Sequence, residues 1–243
     1  RITRLWAYRI LLKKADKQVF DVLKQALKDT TYVEMMSGCS EFEEPYNRAA
    51  ISIYRYDSYE LKLSNQLCFS LDSLVFFDYM KPCGFERGLL MDFKPHKIYY
   101  ATVIEEADKG NDAILPLLAQ YKNPNDRQRI NKLLKLNLKK AGVCSHEACE
   151  AISNWNDPAF EWYAKAACQA TIKQEYYYAW DILHLLCAYP APWSYQILKE
   201  LLTQKGDYSN SDTAKDYLTE LYKTRPVPPI FKPLYDRYVA RKK

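Results

Sequence analysis

Apolar residues recur at helical spacing along nearly the whole chain, and this pattern predicts an all-helical protein. From Val19 the series Val19, Leu23, Ala26 and Leu27 marks one stripe, with Lys24 and Lys28 facing away. The clearest amphipathic segment sets Ile130, Leu133, Leu134, Leu138 and Ala141 on one side and Arg127, Lys132, Lys135 and Lys139 on the others. Between Ile51 and Tyr79 the pattern is mixed. Tyr54, Tyr56, Tyr59, Leu61 and Leu63 partly alternate with polar residues, as strand residues do, before Leu67, Leu71, Leu74, Val75 and Tyr79 return to helical spacing. We read that stretch as mostly helical.

Turn chemistry divides the pattern. Ser37-Gly38-Cys39-Ser40 and Pro45 interrupt after the first helices, and Lys81-Pro82-Cys83-Gly84 interrupts again. Asn123-Pro124-Asn125-Asp126 predicts a stop followed by a new helix start, and Asn156-Asp157-Pro158 predicts a cap with Pro in the first turn. Tyr189-Pro190-Ala191-Pro192 separates two later helices, and Arg225-Pro226-Val227-Pro228-Pro229 ends the regular pattern. The helices between these breaks are of a length that suits stacked helical hairpins.

Composition agrees. Only 6 of 243 residues are Gly, which argues against Gly-rich phosphate loops and doubly wound nucleotide folds, since both need a permissive backbone. The formal net charge is +5 and the surplus is dispersed along the chain, so no nucleic-acid partner is expected. No run of about 18 apolar residues is present, so no membrane-spanning helix is expected. The first residues, with Arg1, Arg4 and Arg9 among Ile2, Leu5, Trp6, Ile10 and Leu11, fit two readings. One is a segment following a removed signal or membrane anchor; the other is an ordinary amphipathic first helix.

Self-similarity emerges in the second half. Ala107-Asp108-Lys109-Gly110-Asn111-Asp112-Ala113 precedes Leu117, Leu118, Ala119 and Tyr121; Ala141 stands 34 residues after Ala107 and is followed by His146-Glu147-Ala148. Phe160-Glu161-Trp162-Tyr163-Ala164-Lys165-Ala166-Ala167 leads to Ala179 and Leu183, and Leu198 to Leu202 leads to Ala214, Leu218, Leu221 and Tyr222. Small Ala side chains let paired helices approach closely, while Tyr and Leu fill the space over the next unit. The Phe160–Ala167 segment resembles the core of a Sel-one-like repeat, a relative of the tetratricopeptide repeat, and the resemblance runs roughly from Ile104 to Tyr222. The spacings are irregular, several of the family's glycines are missing, and His184 stands where the family usually has Gly.

The resemblance implies a short α-solenoid of stacked helical hairpins over residues 99–243, with a Pro-rich C-terminal end. A less regular helical region occupies residues 1–98. It also implies that the protein acts by binding another protein, because one helical hairpin cannot cover its own apolar face and stacks on its neighbours. In that array Ala179, Leu183 and Leu186 are expected to face the stacked core, and Tyr177, Asp181 and His184 to lie together on another side of the helix. A ring, a carboxylate and an imidazole suit recognition, and these three residues are the expected partner-binding site.

No catalytic set emerges. Cys144-Ser145-His146-Glu147-Ala148-Cys149-Glu150 lacks the second His of a zinc protease, since Glu150 occupies its place, and lacks a fourth ligand for structural zinc. A Cys144–Cys149 disulfide and two plain thiols both fit it. No Gly-x-Ser-x-Gly elbow or phosphate loop is present, and the acidic cluster Glu41, Glu43, Glu44 reads as surface charge in a loop. No metal and no cofactor are expected. The 21 Tyr and 5 Trp serve either as interface anchors or as packing residues.

The expected function is therefore non-enzymatic. The concrete form is a bacterial immunity protein that binds and neutralises a secreted antibacterial effector, such as a type VI phospholipase toxin. It would act in the periplasm or anchored at the membrane facing it, with a cytoplasmic location as the alternative. A scaffold or secretion adaptor is the second reading, and a helical thiol hydrolase is the reading from another class; the sequence alone does not pair Cys39, Cys83 or Cys168 with His96 or His184, and buried structural thiols are the common case.

Overall fold

Helices dominate the backbone of this computed structural model, which describes residues 2–37, 40–61, 63–141, 145–173, 180–203 and 210–240. Within those ranges the side chains of 36, 37, 40, 57–61, 140, 141, 180, 181 and 210 are outside the description. The fold is all-α, with a single two-stranded hairpin among the described residues. The chain divides into two compact units, residues 1–85 and 86–243.

In the first unit, α1 (Ile2–Lys13), α2 (Val19–Ala26) and α3 (Tyr46–Leu61) pack against one another, and α2 also packs on α4 (Asn65–Leu74). Their buried stripes are Leu5, Tyr8 and Leu12 from α1, Val19, Leu23 and Ala26 from α2, and Ala49, Ala50, Ile51 and Tyr54 from α3. Ser64 caps α4 by accepting from the Leu67 amide at 3.2 Å. The helix then widens into a π-helical turn, Val75–Met80, and closes through α5 (Lys81–Cys83). Among the described residues the stretch from Ile51 to Tyr79 is mostly helical, as expected, with a break at Leu63 and Ser64.

The hairpin was not expected. β1 (Tyr32–Ser37) and β2 (Ser40–Pro45) pair antiparallel, with Tyr32 opposite Pro45 and Ser37 opposite Ser40. The segment expected to be a loop is therefore strand, and Glu41, Glu43 and Glu44 belong to β2. Cross-strand pairing does not explain it, because Glu34 sits directly opposite Glu43 and like charges in that position oppose pairing. Packing against α3 does explain it. Val33 is buried, both strands contact α3, and the Tyr46 amide donates to the Thr31 carbonyl at 2.8 Å to close the hairpin base.

In the second unit the helices alternate between two rows. One row comprises α7 (Lys97–Asp108), α9 (Arg127–Ala141), α11 (Glu161–Thr171) and α13 (Pro192–Thr203). The other comprises α8 (Leu115–Gln120), α10 (His146–Trp155), α12 (Trp180–Ala188) and α14 (Asn210–Leu221). Each helix packs on the next member of its own row: α7 on α9, α9 on α11, α11 on α13, and likewise α8 on α10, α10 on α12, α12 on α14. The short α6 (Arg87–Met91) lies against α8 and α10, while α15 (Lys232–Leu234) leads into a π turn, Tyr235–Val239, that packs on α14.

Residues thirty-four apart take equivalent places in these rows. Pro124 and Pro158 each open a 3-10 turn before α9 and α11, and Pro192 opens α13. A side chain caps the first two: Asn123 accepts from the Asn125 amide and Asp157 from the Ala159 amide, at 3.1 and 3.0 Å. Ile130, Ala164 and Leu198 are fully buried, as are Leu133, Ala167 and Leu201. In the other row Ile114, Ala148 and Ile182 are equivalent and buried, as are Leu118, Ile152 and Leu186. The small side chains at these equivalent positions all come from α10 and α11.

Polar clasps lock successive helices of the first row. Arg127 donates from Nε and Nη2 to Asp157 Oδ2 at 2.8 and 2.7 Å. Trp162 Nε1 donates to Asn131 Oδ1 at 2.7 Å, and Trp193 Nε1 donates to Glu161 Oε1 at 2.9 Å. Arg87 clasps the buried Asp112 in the same manner.

Candidate functional site

The side of α12 away from the core opens onto a cavity. Ile182, Leu183, Leu185 and Leu186 are fully buried, which leaves His184, Cys187 and Ala188 toward a space of about 530 Å³ between α10, α12 and the end of α14. Ser153 and Asn154 of α10, Tyr217 and Tyr222, and Arg225 with Pro226 complete its walls.

His184 is half-buried and its Nδ1 lies 3.1 Å from the Tyr217 hydroxyl, with the two rings edge to face at 5.1 Å. Burial holds its pKa below the ordinary imidazole value; the Glu150 carboxylate acts in the opposite sense and His146 reinforces the depression. His146 and Glu150 face each other at 3.7 Å on the surface of α10. Burial also pushes the Cys187 thiol up to about 12, against a small opposing effect from the Tyr222 hydroxyl, and raises the Tyr217 phenol to about 12. The Cys168 thiol, fully buried in the first row, is likewise driven well above its usual range. Within the cavity His184, Cys187 and the Tyr217 hydroxyl are held neutral, while Glu220 and Arg225 supply charge at its wall. Thiolate chemistry is disfavoured there, because a thiol nucleophile needs its pKa lowered.

Of the expected site, His184 lines this cavity. Tyr177 lies outside the described residues, and Asp181 is in α12 with its side chain outside them. Leu183 and Leu186 face the core as expected; Ala179 lies outside the described residues. Tyr217, Tyr222 and Arg225 were not foreseen. They stand more than thirty residues from His184, and only the packing of α14 on α12 brings them to it. Cys149 is disulfide-bonded, while Cys68, Cys83, Cys168 and Cys187 are in no disulfide; Cys39 and Cys144 lie outside the described residues. Among the described residues no group of three His, Cys, Asp or Glu side chains is arranged to hold a metal ion.

The basic residues of α9 separate into two kinds. Arg127 and Arg129 are clasps, bound to Asp157 and to Asp108 with Asp126. Lys132, Lys135 and Lys139 are exposed to solvent. Trp162 of α11 is 38% exposed although its indole nitrogen is hydrogen-bonded. No helix of the described chain is long and apolar enough to cross a membrane. Compared with known proteins, the chain matches no family model, no curated protein and no solved structure.

Proposed function

We propose that residues 86–243 form a short helical-repeat solenoid whose task is to bind another protein. The observation that carries this reading is the thirty-four-residue equivalence of buried positions across two rows of helices. This is the spacing of tetratricopeptide-type hairpins, and such arrays offer long, preformed polar faces to partners. The concrete form is an immunity protein that sequesters a secreted antibacterial effector, and the cavity beside His184 is part of the proposed binding surface. An oxidising compartment such as the bacterial periplasm is favoured by the disulfide at Cys149, since such bonds persist there.

Co-expression tests this directly. Each secreted toxin of the source bacterium is produced in a sensitive host with and without the chain. Restored growth, together with a stoichiometric complex on gel filtration, is the expected result. Failure to rescue any of them, with no complex formed, would sink the immunity reading; complexes with several non-toxic proteins would favour a scaffold.

A further inference from the structure

The solvent-facing side of the row α9, α11, α13 is basic in a way that the dispersed charge of the sequence conceals. Lys132, Lys135 and Lys139 recur at helical spacing along the exposed face of α9, Lys165 stands one turn after Trp162 on α11, and Lys199 occupies the equivalent place on α13. Lys165 and Lys199 are thirty-four residues apart, as are the exposed Gln128, Trp162 and Gln196, so stacking sets like positions side by side. None of these five lysines forms a direct ion pair among the described residues, and the carboxylate that Lys132 does feel, Asp108, is held by Arg129. Glu200 is the exposed carboxylate on the same stretch of α13, and Glu161 is engaged by Trp193.

We propose that this face, centred on Trp162, binds an acidic, extended polypeptide segment of the partner. The inference rests on the protein-binding reading above and names the chemistry of the partner's contact. Charge complementarity carries it: five ammonium groups with no direct ion pair among the described residues repel one another across the stacked helices, and carboxylates spaced along a strand relieve that repulsion. The Trp162 ring, oriented by its bond to Asn131, supplies the large apolar contact that anchors such an interface. Three helices at interaxial distances of about 8–10 Å span roughly 20 Å, which an extended chain crosses in about six residues. A single exposed ring does not provide the successive stacking platforms that single-stranded nucleic acid requires, and the cations are lysines, which lack the planar fork suited to phosphate.

The test uses the full chain and a fluorescein-labelled peptide of glutamates with interspersed leucines. Its controls are the same peptide with glutamine for glutamate and a poly-deoxythymidine of equal charge. Anisotropy is expected to show binding of the acidic peptide alone, weakening as salt rises. Lys135→Glu with Lys165→Glu, and separately Trp162→Ala, are expected to weaken it by about tenfold or more. Circular dichroism of each variant verifies that the helices remain; Lys135→Gln with Lys165→Gln serves if the reversals unfold the chain. Binding of the glutamine peptide as tightly, preference for the oligonucleotide, or indifference to the charge reversals would each overturn the proposal. A toxin complex that forms normally with the charge-reversed chain would remove this face while leaving the protein-binding reading in place.

Discussion

Asp157 accepts from the Ala159 amide and from Arg127 while its own carbonyl accepts from the Tyr189 hydroxyl at 3.1 Å. One buried residue thus caps α11, ties it to α9 and receives a bond from the end of the following helix pair. Replacing it with Ala removes the cap and strands the partners, and Asp157→Ala is expected to cost about 1–2 kcal/mol in urea denaturation. Asn125→Ala, on the exposed turn before α9, is expected to be neutral within error. At His184 the sign of a pH effect follows from burial. The folded protein holds this imidazole below its ordinary value of 6.5, so above that pH both states are neutral and nothing is lost. As pH falls through 6.5 the unfolded chain takes up a proton first, and stability declines toward the lower folded value. Thermal melts of the wild type should show this decline, and His184→Gln should flatten it. An unchanged slope in the variant would assign the titration elsewhere.

At the scale of the element, the termini are set by short-range chemistry. α7 ends at Gly110, whose φ of +82° is a left-handed conformation that glycine adopts without strain. A Cβ there would meet only Leu136 Cδ1 at 3.5 Å, an ordinary contact, so Gly110→Ala isolates the backbone term. We expect a loss of about 1 kcal/mol, measured as a lowered urea midpoint at constant m-value; an unchanged midpoint would mean that the turn relaxes freely. α10 ends through Asn156 at φ +54°, a residue type that tolerates the same region. The break at Asn156-Asp157-Pro158 was readable in advance because Asn, Asp and Pro act through their own backbone preferences, whereas the stop at Gly110 was not foreseen. The hairpin Tyr32–Pro45 was not, because its stability comes from Val33 and the strand backbone packing on α3, a contact with no local signature.

At the scale of the whole molecule, each unit carries its own buried core. Residues 86–243 expressed alone are therefore expected to give a helical spectrum and a cooperative melt. A spectrum without a transition would show that the second unit depends on the first.

Hydrophobic periodicity by itself determined that this chain is helical and where many of its helices stop, since both follow from backbone geometry and from side chains a few residues apart. It also marked Leu183 and Leu186 as core. Which surfaces gather chemistry was decided by tertiary packing alone. Lys135, Lys165 and Lys199 look scattered along the chain until helix stacking sets their faces side by side, and Tyr217 meets His184 only when α14 lies on α12. The thirty-four-residue offset was legible at Ala107 and Ala141, but most of the buried positions that share it were veiled. What is shared at Ile130, Ala164 and Leu198 is burial, not residue type, and size is free to vary wherever a neighbouring helix compensates for it.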